Sequence, residues 1–202
     1  MKKLFMATMV CFSIVTATST MAAGDASAGK GKSAMCAACH GVDGNSPSNL
    51  FPKLAGQGEA YLVKQLQEFK SGDRKNAVMA PMVAALSEQD MADLAAYYSS
   101  NKITPGAVSE ELVEAGQQVF RAGNKETGLP ACMACHGPTG AGVPAAKWPA
   151  LAGQYGAYVE AQLKAFATGT RSNDTNSMMR DIAGKMTDDE MKAVSAYVAG
   201  LH

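Results

Sequence analysis

Apolar positions along this chain recur at helical spacing rather than in alternation. Tyr61, Leu62, Leu66 and Phe69 share one helix face, and Tyr158, Val159, Leu163 and Phe166 repeat it further on. Met91, Leu94 and Tyr98 mark a later helix, with Met191, Val194 and Val198 as its counterpart. These later helices open at Ser87 and Thr187. Glu190 stands where it completes a capping box with Thr187, and Asp90 offers Ser87 a weaker version. Two earlier helices are predicted over Ser27 to Met35 and Glu110 to Arg121. No stretch reads as a strand, so the predicted class is all-α.

The pattern is written twice. Cys36-Ala37-Ala38-Cys39-His40-Gly41 returns 96 positions later as Cys132-Met133-Ala134-Cys135-His136-Gly137. Phe51-Pro52-Lys53-Leu54-Ala55-Gly56-Gln57 returns 97 positions later as Trp148-Pro149-Ala150-Leu151-Ala152-Gly153-Gln154. Tyr61, Gln65, Phe69, Gly72 and Arg74 match Tyr158, Gln162, Phe166, Gly169 and Arg171 at that same offset. Met79 and Tyr97 match Met179 and Tyr197 at an offset of 100, so only small insertions separate the copies. Polar residues followed by Pro105-Gly106 punctuate the junction. The expected organisation is therefore a domain over 23–100, a linker over 101–108 and a second domain over 109–202.

The first 22 residues stand outside the repeat. Lys2 and Lys3 precede an apolar run to about Val15, and Thr20-Met21-Ala22 offers small residues for cleavage before Ala23. This reads as a secretory signal and implies export, most simply to a periplasm. The run is too short for a membrane span, and bulky Val10 before Cys11 argues against a lipoprotein. No later segment is apolar enough to cross a membrane. With 47% hydrophobic residues and 18% charged, the chain is globular in composition. Removing Lys2 and Lys3 from the 18 basic residues turns a net charge of zero into −2, which argues against nucleic acid as a partner. The first domain and linker balance 8 bases with 8 acids; the second domain sets 8 against 10.

Cleavage leaves four cysteines, all in Cys-x-x-Cys-His. This is the attachment signature of c-type haem: two thiols each add to a porphyrin vinyl group, and the adjoining histidine is held beneath the iron as fifth ligand. A thioredoxin-type pair would follow a strand, which neither motif does. A zinc site would have to draw on two separate repeats, and plain disulfides would not require a histidine after each pair. Two covalently attached haem c groups are therefore expected, through Cys36 and Cys39 and through Cys132 and Cys135. Aromatic residues make up only 6% of the chain, so a bound macrocycle would also supply apolar bulk that the side chains lack.

His40, His136 and the terminal His202 are the histidines of the chain. Two are committed to the motifs, so bis-histidine ligation of both irons is impossible within one chain, and methionine is the substitute. Repeat register selects Met79 and Met179, each seven residues before Leu86 or Met186 and each after an Arg-x-Asn segment that reads as loop. Met82 faces Ile182 and Met178 faces Val78 in the other copy, which makes these two the competitors. Pro52 and Pro149, in matched Pro-x-Leu-x-Gly segments, offer carbonyls that would fix the histidine rings, the competing reading being plain loop prolines.

With these motifs in hand, the region from Ala23 to His202 resembles the cytochrome c4 family, two class I cytochrome c domains in one exported chain. The resemblance rests on Ala23-Gly24-Asp25-Ala26, on Cys36 to Asn45, on Phe51 to Gln57, on Met179-Arg180 and on Gly200-Leu201-His202. It implies the axial pairs His40/Met79 and His136/Met179 and hydrogen bonds from the histidines to Pro52 and Pro149. It implies that Gly29 and Gly116 let the first helix of each domain cross closely over Tyr97 and Tyr197. It also implies domains packed as pseudo-twofold mates, and electron shuttling from a quinol:cytochrome c oxidoreductase to a terminal oxidase or another periplasmic reductase. The rival readings are a dihaem peroxidase, which needs an open iron site, and a haem-based sensor, which would lack or lose its methionine.

Overall fold

In the computed structural model the described residues are 23–106, 108 and 110–202, so the export signal read over 1–22 lies outside them. The first half holds α1 (Ala26–Lys32), α2 (Ala34–His40), α3 (Glu59–Ser71), α4 (Met79–Val83) and α5 (Glu88–Ser100). The second holds α6 (Glu110–Ala122), α7 (Met133–His136), α8 (Gly156–Ala167), α9 (Met178–Ala183) and α10 (Asp188–Gly200). Among the described residues β structure is limited to the isolated bridges Asn124–Leu129 and Val143–Trp148. No described helix is long and apolar enough to cross a membrane.

The Asp25 carboxylate caps α1, accepting from the Ser27 and Ala28 amides at 2.8 and 3.3 Å. The helix expected over Ser27 to Met35 is broken at Ser33, whose hydroxyl turns back to the Lys30 carbonyl at 2.9 Å. The break frees α2 to carry the whole cysteine motif in its own direction. Both later helices open on complete capping boxes. The Ser87 amide donates to Asp90 at 2.9 Å, and the Thr187 amide to Glu190 at 2.8 Å. The expectation of a weaker box at Ser87 is thus corrected: its hydroxyl also donates to Asp90 at 2.6 Å, which draws the shorter side chain back to the helix end.

Within each half the first helix packs across the last, α1 on α5 and α6 on α10, and α3 and α8 lie against the same last helices. The crossings are possible because they meet at glycine. A Cβ on Gly29 would lie 2.0 Å from the Asp93 carbonyl oxygen, and one on Gly116 would lie 2.3 Å from that of Ala193. Backbone cannot step aside as a flexible side chain can. Gly29→Ala and Gly116→Ala are each expected to destabilise their own domain by about 2–3 kcal/mol, read as a lowered denaturant midpoint.

The α1–α5 crossing carries an acid pair that the second half lacks. Buried Asp93 accepts from the Asp25 amide at 2.9 Å, from Lys32 at 2.6 Å and from Gln89 at 2.8 Å. The amide hydrogen bond and then the lysine hold its carboxyl down to about 2. Lys32 also reaches Asp90 at 2.6 Å, and the register partner of Asp93 is Ala193. A depressed carboxylate stabilises the fold above its ordinary value near 3.8 and loses that contribution as pH falls towards 2. The N-terminal domain is therefore expected to melt first in an acid titration between pH 4 and 2. Asp93→Asn should reduce the extra acid sensitivity seen by circular dichroism. Asp90→Asn added to it should remove the rest, because Lys32 also holds the Asp90 carboxyl below its ordinary value.

The halves pair reciprocally, as an isologous interface does. The Lys53 amide donates to Gln154 Oε1 and the Gln154 amide group donates to the Lys53 carbonyl, both at 2.9 Å. At the register-equivalent place the Ala150 amide donates to Gln57 Oε1 at 2.8 Å, and Gln57 Nε2 donates to the Ala150 carbonyl at 3.0 Å. The connecting segment is held in this interface rather than strung as a tether. Lys53 Nζ donates to the Thr104 carbonyl and, at 3.0 Å, to that of Gly153. Asn45 accepts from the Thr104 amide at 2.8 Å.

Candidate haem sites

Cys36, Cys39 and His40 stand at i, i+3 and i+4 of α2, and so lie on one face of it. Cys132, Cys135 and His136 do the same on α7, where Cys132 is the cap residue with helical φ −59°. Each motif ends on a glycine of positive φ, 80° at Gly41 and 81° at Gly137, which turns the chain away directly after the histidine. Among the described residues no disulfide joins Cys36, Cys39, Cys132 and Cys135, so each sulfur is available for a thioether link. Burial pushes the Cys36 thiol up and the Cys132 thiol up to about 11.

His40 and His136 are buried, and Nδ1 of each donates to a proline carbonyl, Pro52 at 2.8 Å and Pro149 at 2.9 Å. A carbonyl can only accept, so the proton sits on Nδ1 and Nε2 keeps its lone pair. Burial lowers the pKa of both rings, more than the proline hydrogen bonds raise it, which favours the neutral, metal-binding form. Both proline segments are held by matched bonds: the Leu54 amide donates to Gly44, and the Leu151 amide to Gly140, each at 2.7 Å.

Between the halves lies a cavity of about 1280 Å³. Cys36, Cys39, His40, Pro52 and Met79 line it from one side, and Cys132, Cys135, His136, Pro149 and Met179 from the other. Leu62, Phe69 and Leu94, with Leu163, Phe166 and Val194 opposite, supply apolar wall. Thiols paired for thioether links, an imidazole with a free Nε2, a thioether sulfur and a large apolar space fit one haem c in each half. Among the described residues no group of three or more His, Cys, Asp or Glu converges as a zinc site would require.

The Arg-x-Asn segments are non-helical as read, and each methionine stands at the start of the short helix that follows: Met79 is the first residue of α4 and Met179 the second of α9. The Asn76 side chain accounts for the first start, accepting from the Val78 and Met79 amides at 2.9 Å each. In the second half Asp174 takes over, accepting from the Arg180 amide at 3.0 Å and from Arg180 Nε at 2.8 Å. The three residues added there include Asn176 and Ser177, at φ 53° and 59° in the left-handed region. Met82 and Met178 also reach the cavity wall.

A polar cluster at the waist of the cavity escapes the sequence reading. Arg74 donates to Tyr158 and Gln162 of the other half, both at 3.0 Å, and Arg171 donates to Tyr61 and Gln65, both at 3.1 Å. Each guanidinium stacks on a phenylalanine of its own half, 4.6 Å from the Phe69 ring and 4.4 Å from the Phe166 ring. Burial alone would raise the Tyr61 pKa, but Arg171 and Arg74 outweigh it and hold the phenol below its ordinary value. The cluster is lopsided: Glu68 accepts from Asn173 at 2.7 Å and from Lys64 at 2.5 Å, where the second half has Ala165 and Ala161. The available signal was the offset. Polar Tyr, Gln and Arg keep one spacing of 97, which exposed positions would have no reason to do.

The cytochrome c family model matches residues 26–102 and 113–202. The chain is 50% identical over 191 residues to cytochrome c4 of Azotobacter vinelandii, covering 90% of this chain and 91% of that protein. It is 48% identical over 182 residues to cytochrome c4 of Pseudomonas aeruginosa, covering 90% of each. The crystal structure of reduced recombinant cytochrome c4 from Pseudomonas stutzeri superposes with a TM-score of 0.87 at 48% identity, covering 89% of this chain and all of that one. Agreement over both repeats at once, in sequence and in backbone, makes this chain a member of the cytochrome c4 family, a dihaem electron-transfer protein of two tandem class I cytochrome c domains.

Proposed function

We propose that the mature chain, beginning at Ala23, is a periplasmic carrier that accepts electrons from a quinol:cytochrome c oxidoreductase and delivers them to a terminal oxidase or another periplasmic reductase. Haem attachment runs through Cys36 and Cys39 in a domain over 23–100, and through Cys132 and Cys135 in a domain over 109–202, with 101–108 as linker. His40 and Met79 take the axial positions in the first, His136 and Met179 in the second. The observation that carries this reading is that a neutral, oriented histidine and a methionine in repeat register line the cavity in each half.

Bound iron porphyrin supplies a one-electron couple. The polypeptide supplies what tunes it. Pro52 and Pro149 hold the rings and their tautomers, and the Met79 and Met179 thioethers favour the reduced iron. With His40 and Met79, or His136 and Met179, holding each iron, no position would be left for a substrate, which would separate a carrier from a peroxidase. Near-neutral charge gives little long-range steering, so salt should change association with membrane partners only modestly.

The test is spectroscopy of holoprotein matured with its haem-attachment machinery. Two haems per chain, a sulfur–iron band persisting in both domains, and reduction by quinol-oxidising membranes are the expected results. A high-spin haem that turns over peroxide would replace the carrier reading with the enzymatic one. An N-terminus other than Ala23 on exported protein would overturn the cleavage site.

A further inference from the structure

In each half, one peptide group is hydrogen-bonded on both sides: to the motif histidine of its own half and to a glutamine of the other. The Pro52 carbonyl accepts from His40 Nδ1 at 2.8 Å, and the N–H of that same peptide unit, on Lys53, donates to Gln154 Oε1 at 2.9 Å. The Pro149 carbonyl accepts from His136 Nδ1 at 2.9 Å, and the N–H of its peptide unit, on Ala150, donates to Gln57 Oε1 at 2.8 Å. The glutamines have little freedom. Gln154 Oε1 also accepts from the Tyr155 amide and Gln57 Oε1 from the Gly58 amide, both at 3.0 Å. Nε2 of each returns to the Lys53 or Ala150 carbonyl, which fixes the amide orientation. Lys53, Gln57 and Gln154 are 5%, 8% and 6% exposed, and the Lys53–Gln154 bonds are buried while those between Gln57 and Ala150 are half-buried.

We propose that Gln57 and Gln154 are crossed positioning residues: each polarises, through one peptide group, the axial histidine of the opposite domain. The proposal rests on the axial histidines assigned under the proposed function. A peptide whose N–H is engaged carries more negative charge on its oxygen. A more negative oxygen draws the Nδ1 proton and makes Nε2 a stronger donor to iron. A stronger donor favours the oxidised iron and lowers the potential. Domain docking would then set both potentials, and loss of one glutamine would raise the potential on the far side of the interface.

The experiment uses full-length holoprotein with Gln154→Leu, Gln57→Leu and the corresponding glutamate variants. Redox titration is followed by proton NMR, so that each wave is assigned by its own methionine methyl and histidine Nδ1–H signals. Gln154→Leu is expected to shift the N-terminal reduction equilibrium about threefold towards the ferrous form, about 30 mV at 59 mV per tenfold, and to speed solvent exchange at His40 Nδ1. Gln57→Leu does the same at His136. Glutamate keeps the acceptor, so neither glutamate variant raises a potential. A merely structural role, loosening the interface, would move both haems alike. An equal shift in both domains, a shift in the domain carrying the substitution, or no shift overturns the relay. Failure of the underlying ligand assignment is separately visible in the wild-type holoprotein, where His40 and His136 would then lack ring-proton signals shifted by the iron.

Discussion

Cys36→Ala combined with Cys39→Ala leaves one haem per chain and an N-terminal domain without a cooperative unfolding transition. Without haem, the apolar wall of Leu62, Phe69 and Leu94 would face water, and the whole net stability of a small domain is only about 5–15 kcal/mol. The two domains should not respond equally. The N-terminal buried cluster is Leu62, Leu94, Ala95, Tyr97 and Tyr98, whereas the C-terminal one extends from Val119 and Phe120 through Leu163 and Phe166 to Val198. Cys132→Ala with Cys135→Ala therefore retains more helix than the N-terminal pair of substitutions. Haem count by absorbance and melting followed at 222 nm check both. Equal loss of structure in the two variants would show that the clusters do not govern haem dependence.

The same contrast explains what could be read from residues alone. Helices α3 and α8 were legible because each buries one face, Leu62, Gln65 and Phe69 or Val159, Leu163 and Phe166, and burial on one face writes a 3.6-residue period. Helices α5 and α10 are buried nearly all round, and their capping residues Ser87 and Thr187 marked where they begin. The cysteine motifs were legible because covalent attachment tolerates one spacing. Features decided by a single side-chain hydrogen bond, or by contact between the halves, were not legible. The break at Ser33 depends on a hydroxyl finding the Lys30 carbonyl, and the start of α4 depends on Asn76 capping it. The Arg74 and Arg171 clusters and the crossed glutamines required knowing that two halves meet face to face. From one copy alone, Gln57 and Gln154 are polar loop residues with nothing to do. Only the reciprocal bonds across the interface give them a role.

Met79→His and Met179→His are expected to lower one potential each, by on the order of 0.1 V of the ~0.8 V that axial ligation spans, and to leave the other nearly unchanged. The sign follows from ligand chemistry. A thioether is soft and uncharged and stabilises ferrous iron, whereas a second imidazole donates more strongly and stabilises ferric iron. The two sites need not accept the change equally. Met79 follows a turn without left-handed residues that Asn76 caps, so its backbone can be kept while the side chain is exchanged. Met179 follows Asn176 and Ser177, both in the left-handed region, and is held by the Arg180–Asp174 pair at 2.8 Å. A loop so constrained has less room to reposition a shorter ring, so Met179→His should give a mixture of ligated and high-spin iron where Met79→His gives one species. Loss of the sulfur–iron band in one domain, with a single displaced wave, is the expected measurement. If Met82→His or Met178→His moves a wave and the register-matched substitutions do not, the neighbouring methionine on the same short helix is the ligand.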